Sequence, residues 1–184
     1  MENYQRLCVG YGEHPGSGEL RNARLFRVFY NSTFCDDIYG FHNICRELIV
    51  LRNRLSDISD DFCLNGPENG LFSATRIHQF PSGGGFLQLH RDRDGEIATK
   101  EASLPCFLHP LLICSKKGRD FENGGGIIKY NNEILFYEDT LEPGDVVIYN
   151  GRVEHGVYNV DANKTLDLTK FNGRSSLLVS LFKT

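Results

Sequence analysis

The sequence predicts a mostly β protein with N-terminal helices, its strands forming a double-sheet jelly roll, or double-stranded β-helix. Three observations lead there. From about residue 73 onward, eight short runs rich in Val, Ile, Leu and Phe are separated by Gly, Pro, Asn and Asp, the texture of closely spaced antiparallel strands. Before them, one stretch spaces its apolar residues at three and four, the period of an amphipathic helix. The chain has 184 residues, 40% hydrophobic and 24% charged, which suits one domain with a substantial core.

In chain order, residues 1 to about 22 are polar and carry Gly10, Gly12, Gly16 and Gly18; they read as an irregular leader or loop. Residues 34–57 place Ile38, Phe41, Ile44, Cys45, Leu48, Leu51 and Leu55 on one helical face, with a break expected near Gly40. Gly66-Pro67, followed by Asn69-Gly70, is a turn signal that closes this region. Strands are expected at 73–80, 86–91, 104–115, 125–130, 133–139, 145–150, 155–160 and 175–182. Asn131-Asn132 suits a tight hairpin and Glu142-Pro143-Gly144-Asp145 a turn. The expected organisation is a single domain over 1–184, with about 1–70 as leader and helical support and about 73–184 as the jelly-roll core.

Composition narrows the function classes. The formal net charge is −4 and no Lys/Arg-rich run occurs, so nucleic acid is not an expected partner. No apolar run reaches transmembrane length, and the stretch Met1-Glu2-Asn3-Tyr4-Gln5-Arg6 lacks the apolar core of a signal peptide, so no membrane association is expected. The six cysteines, Cys8, Cys35, Cys45, Cys63, Cys106 and Cys114, show no Cys-x-x-Cys pair and no zinc spacing. They read as reduced thiols of a cytoplasmic protein. There is no internal repeat, and nothing in the sequence reports the oligomeric state.

The chemistry concentrates at His90-Arg91-Asp92, His155 and Arg174. Side chains at i and i+2 of a strand share a face, so His90 and Asp92 project together from the end of one strand. His155 opens a later strand that a jelly roll brings alongside. Two imidazoles and a carboxylate fill one face of an octahedral metal and leave the other open, as a non-haem Fe(II) needs when it binds cosubstrate and oxygen together. Arg174 and Ser176 form another i, i+2 pair at the start of the last strand. Together they offer a carboxylate two guanidinium donors and a hydroxyl. Arg76, Gln88 and Arg91 are candidate substrate or cosubstrate contacts, with ordinary packing or solvation as the alternative for each. His78, Arg93 and Asp94 are weaker candidates of the same kind. Tyr149 reads as packing, and His14, His42 and His109 have no companion at ligand spacing. Gly83-Gly84-Gly85 lacks the Gly-Lys-Ser/Thr and helix of a phosphate loop and reads as a turn.

Several short segments together resemble the Fe(II)/2-oxoglutarate-dependent dioxygenase superfamily, and within it the prolyl 4-hydroxylase-like branch. They are Phe80-Pro81-Ser82-Gly83-Gly84-Gly85-Phe86-Leu87-Gln88-Leu89-His90-Arg91-Asp92, Gly124-Gly125-Gly126-Ile127, Gly144-Asp145-Val146-Val147-Ile148-Tyr149, Glu154-His155-Gly156-Val157 and Gly173-Arg174-Ser175-Ser176-Leu177, in that order over about residues 73–184. The resemblance implies a cupin-like jelly roll holding Fe(II) on His90, Asp92 and His155. It implies 2-oxoglutarate as cosubstrate, its distal carboxylate on Arg174 and Ser176, with O2 as oxidant and ascorbate as reductant. The implied reaction hydroxylates an organic substrate and releases succinate and carbon dioxide. An intact Asp92 implies hydroxylation rather than halogenation. One departure is Phe80, where the branch commonly has an aromatic residue bearing a hydroxyl, so a hydroxyl contact to the cosubstrate would come from elsewhere. A small metabolite or natural-product intermediate is favoured as substrate, with a peptide or protein as the other option. Two other readings remain: a cupin-like metal-binding protein without 2-oxoglutarate, which would not need Arg174 and Ser176, and a non-catalytic jelly-roll binding module, which would not need three ligands.

Overall fold

A computed structural model describes residues 4–13, 20–92, 100, 104 and 108–184. His14, Arg93, Asp94 and Cys106 lie outside the described residues, as does part of the strand expected at 104–115. The elements are β1 (Tyr4–Glu13), β2 (Leu20–Tyr30), α1 (His42–Leu55), β3 (Leu71–Phe80), β4 (Gly85–His90), β5 (Leu108–Ile113), β6 (Gly125–Tyr130), β7 (Glu133–Phe136), β8 (Val146–Asn150), β9 (His155–Val160) and β10 (Arg174–Lys183). The strands form one sheet in the order β7-β6-β9-β4-β2-β3-β10-β5-β8, with β1 paired to β2, and every pairing is antiparallel.

The sheet curls. Along that path five strands separate β9 from β8, yet the Tyr149 ring on β8 lies 4.7 Å from the His155 ring on β9. Only a sheet rolled toward itself brings those two strands together. Its inner face follows the two-residue period: Arg174, Ser176 and Leu178 on β10 lie opposite Phe80, His78 and Arg76 on β3, and Leu178 faces Leu111 on β5. The intervening Leu177 and Val179 point outward and pack with Cys45, Leu48 and Ile49 of α1.

Helix α1 matches the apolar stripe, but the buried face is Cys45, Leu48, Ile49, Arg52 and Asn53, while Ile44 and Leu55 are exposed. Its start is fixed from outside the helix. The Asp37 carboxylate accepts backbone N–H groups of Gly40, Phe41 and His42 at 2.8–3.1 Å, answering donors a helix N-terminus leaves open. Asn131 and Asn132 both take positive φ, 49° and 65°, and join β6 to β7 with Tyr130 opposite Glu133, as the hairpin reading requires. Among the described residues no helix is long and apolar enough to cross a membrane.

Three expectations need correction. The expected N-terminal helices reduce to α1 alone among the described residues. The supposed leader is sheet: β1 and β2 form a long hairpin, and β2 sits inside the sheet between β4 and β3. Phe26, Val28 and Tyr30 alternate toward the core there, but Arg21, Arg24 and Arg27 interrupt the apolar texture and hide the strand. The strand expected over 133–139 stops at Phe136 and turns through a short 3-10 segment, Tyr137–Asp139.

Candidate metal centre

His90 and His155 are cross-strand partners in the β4–β9 ladder, with ring centroids 4.4 Å apart. Asp92 lies just beyond β4, and its N–H donates to the Gly151 carbonyl at 2.9 Å, tying the end of β4 to the turn before β9. One nitrogen of each histidine and one oxygen of Asp92 lie within 4.8 Å of one another. Asp92 Oδ1 is 3.3 Å from His90 Nε2, and Asp92 Oδ2 is 3.6 Å from His155 Nε2.

The opposite nitrogens explain the ring orientations. His90 Nδ1 lies 3.0 Å from the Gln88 carbonyl oxygen and His155 Nδ1 lies 2.8 Å from that of Val153. A proton on each Nδ1 satisfies those contacts and leaves a lone pair on each Nε2, the form in which imidazole binds a metal. Burial pushes the His155 pKa down to about 4 against the pull of Asp92, so the ring is neutral near neutral pH. Burial resists ionisation of Asp92, but the imidazoles of His109 and His90 beside it outweigh that and hold the carboxyl well below the usual carboxylate range. The donor set is two imidazoles and a carboxylate, which suits a divalent transition metal.

Gly156 permits this local geometry. The β4–β9 pairing slips between Leu87 and His90, and a Cβ on Gly156 would sit 2.6 Å from the Leu87 carbonyl oxygen. The slip also overturns strict alternation in β4: Leu87 joins the core, while Gln88 is exposed and its backbone carbonyl faces His90 Nδ1.

Arg174 and Ser176 lie together on β10, with the Arg174 terminal NH1 donating to Ser176 Oγ at 3.2 Å. Arg174 is 1% exposed and already faces a carboxylate of the protein. Its Nε donates to Glu138 at 2.8 and 3.1 Å, and its NH2 lies 2.7 Å from Glu138 Oε1. The same NH2 donates to the Tyr137 hydroxyl at 3.2 Å. Glu138 also accepts the Gly126 N–H at 2.9 Å, and a Cβ on Gly126 would strike the Tyr137 ring. Glycine in β6 thus admits the 3-10 turn that brings Tyr137 and Glu138 onto Arg174.

Arg76 lies on the inner face of β3, where its Nε donates to His78 Nε2 at 3.1 Å. Arg91 is exposed, and its guanidinium lies 3.7 Å from Glu154. Sequence reasoning passed over four residues of this region. His109 is 1% exposed and its Nε2 is 3.0 Å from Asp92 Oδ2. Tyr149 lies between His109 and His155 in tilted ring contacts, with centroids 5.3 and 4.7 Å away. Tyr137 and Glu138 complete the surroundings of Arg174. His109, Tyr137 and Glu138 carry no motif, and Tyr149 ends the Gly144–Tyr149 segment without any local sign of its place beside His155; the register that pairs His109 with Tyr149 across β5 and β8 links the two.

No protein-family model and no curated protein matches this sequence. Solved structures do share its fold. A prolyl-4-hydroxylase from Pseudomonas putida aligns with a TM-score of 0.51 and 15% identity over 88% of this chain and 73% of its own. A prolyl hydroxylase from Trichoplax adhaerens, solved in complex with a hypoxia inducible factor oxygen degradation domain peptide fragment, aligns with a TM-score of 0.53 and 14% identity over 95% and 70%. IDO from Bacillus thuringiensis aligns at 0.51 and 12% over 89% and 77%. The chain therefore has the fold of prolyl hydroxylases, in keeping with the resemblance its motifs carry.

Proposed function

We propose that this protein is an Fe(II)- and 2-oxoglutarate-dependent oxygenase that hydroxylates a small organic substrate, and that its curled sheet is a double-stranded β-helix forming one domain. The observation that carries the reading is the convergence of His90, Asp92 and His155 on a prolyl-hydroxylase fold. The residues fit the metal because each histidine spends its Nδ1 on its own backbone and turns Nε2 toward Asp92.

When bound there, Fe(II) supplies the oxidising chemistry with O2 and 2-oxoglutarate, yielding succinate, carbon dioxide and a hydroxylated product. The chain supplies placement. His109 holds Asp92 from behind, and Tyr149 packs beside His155. Glu138 grips the Nε side of Arg174 and fixes its guanidinium. The terminal nitrogens, one of them also 2.7 Å from Glu138 Oε1, stand beside the hydroxyls of Ser176 and Tyr137, a cluster of donors for the distal carboxylate of 2-oxoglutarate. Tyr137 would supply the hydroxyl that Phe80 lacks. Leu111, Ile113 and Leu178 pack nearby and limit water around these charged groups. Among the described residues Cys8, Cys45, Cys63 and Cys114 form no disulfide, which accords with a reducing setting that keeps iron ferrous.

The test is turnover. Purified protein with Fe(II), ascorbate, O2 and 2-oxoglutarate should form succinate, and a library of small metabolites should contain one that gains one oxygen by mass. Absence of succinate above a metal-free control, with every library member present, would reject the reading. A chlorinated product in chloride buffer would reject the role given to Asp92.

A further inference from the structure

One buried cation of the inner face has no ion-pair partner among the described residues. Glu138 answers Arg174, and Asp92 sits among histidines at the metal site. Arg76 is 7% exposed, yet among the described residues no carboxylate lies within ion-pair distance of it. Burying a charge without an opposite charge is costly, so a fixed buried cation on the inner face of the curled sheet marks a place for an anion. The side chain is held in place. Its Nε donates to His78 and its NH1 to the Ala74 carbonyl at 3.2 Å, and its guanidinium lies over the rings of Phe182, at 4.7 Å, and Tyr30, at 5.9 Å. Its other N–H groups make no hydrogen bond among the described residues. Arg52 makes a useful contrast: it is also buried without a carboxylate, but its nitrogens donate to Asn53, Ser73 and the Phe62 carbonyl.

Register separates Arg76 from the cosubstrate anchor. Arg174 pairs with Phe80, then Ser176 with His78, then Leu178 with Arg76, so the two arginines are two inward-facing rungs apart. The next rung is Ser180 with Ala74. On β5 the corresponding step runs from Leu111 toward His109, which touches Asp92. The Arg76 terminal nitrogen bends back onto Ala74, toward that metal end.

We infer that Arg76 binds a carboxylate of the organic substrate, and that the protein therefore acts on small carboxylic acids. For the reaction, the inference rests on the oxygenase reading above. The fork of Arg76 suits a planar carboxylate, and Tyr30 and Phe182 provide apolar walls beside it.

The test compares hexanoate, benzoate, 3-phenylpropionate and N-acetyl amino acids with their primary amides. Binding to the Mn(II)-loaded protein is measured by calorimetry, with and without saturating 2-oxoglutarate. At least one acid should bind about tenfold or more tightly than its amide, the loss expected for a charge-assisted pair. Arg76→Met should abolish that preference, and Arg76→Lys should keep part of it. Affinity for 2-oxoglutarate should change by less than about threefold in either variant. Equal binding of every acid and its amide by the unmodified protein would overturn the inference. So would a tenfold or larger loss of 2-oxoglutarate affinity in Arg76→Met, which would assign the carboxylate to the cosubstrate. Should Arg76→Met fail to fold, the unmodified protein and Arg76→Lys still decide. If 2-oxoglutarate binds no variant while the acid preference disappears with Arg76→Met, the oxygenase reading fails and the carboxylate site stands.

Discussion

At the candidate metal centre, each histidine ring is oriented by a carbonyl two residues before it in the sequence. Gln88 and Val153 fix the Nδ1 side of His90 and His155, and Asp92 collects both Nε2 atoms and His109. Replacing His155 by Ala should therefore abolish stoichiometric Fe(II) binding while the far-ultraviolet circular dichroism stays that of the parent, because the ring sits at a site rather than throughout the core. Arg174→Lys keeps a charge but loses the fork that meets Glu138, Ser176 and Tyr137 together. Its KM for 2-oxoglutarate should rise by about one to two orders of magnitude, from charge-assisted bonds worth about 1.5–3 kcal/mol. An unchanged KM would place the anchor elsewhere. His90, Asp92 and His155 were legible because strand alternation and flanking glycines announce them. His109 was not, because its tie to Asp92 depends on how β5 and β4 approach across the curl, and no local spacing encodes that.

The short 3-10 turn after β7 is the element on which Arg174 depends. Gly126 makes room for the Tyr137 ring, and the turn delivers Glu138 to the guanidinium. Glu138→Ala leaves Arg174 buried without its counter-charge, which should cost about 3–5 kcal/mol, read as a fall in the urea midpoint. A midpoint unchanged from the parent would show that the pair contributes nothing to stability. Helix α1 and strands β6, β8, β9 and β10 were readable from periodicity and turn residues, as the Asn131-Asn132 hairpin illustrates. Strand β2 was not. Its arginines break the apolar run, and its alternation makes sense only once β3 and β4 flank it. The same holds for Gln88, which a regular strand would turn inward and the slip opposite Gly156 turns out.

For the whole molecule, acidity tests how the buried site is tied to folding. Burial pushes His155 down to about 4 and His78, also close to the Arg76 charge, well below its ordinary value. The unfolded chain takes up these protons first as pH falls through about 6.5, because its histidines are unperturbed. The stability these two groups contribute is thus complete above about pH 6.5 and is lost as pH falls toward 4. By about pH 5 the metal-free protein should lose on the order of 2 kcal/mol through His155 alone. Urea midpoints measured across that range check the sign; stability rising on acidification would contradict it. The central claim is that one Fe(II) on His90, Asp92 and His155 creates the binding site for 2-oxoglutarate. Anaerobic calorimetry tests it most directly: Fe(II) titrated into the metal-free protein, then 2-oxoglutarate, with His90→Ala/His155→Ala as control. The account predicts one Fe(II) per chain, 2-oxoglutarate binding only after the metal, and neither event in the double variant. Binding of 2-oxoglutarate with equal affinity in the absence of metal, or of Fe(II) by the double variant with parental affinity, would contradict it.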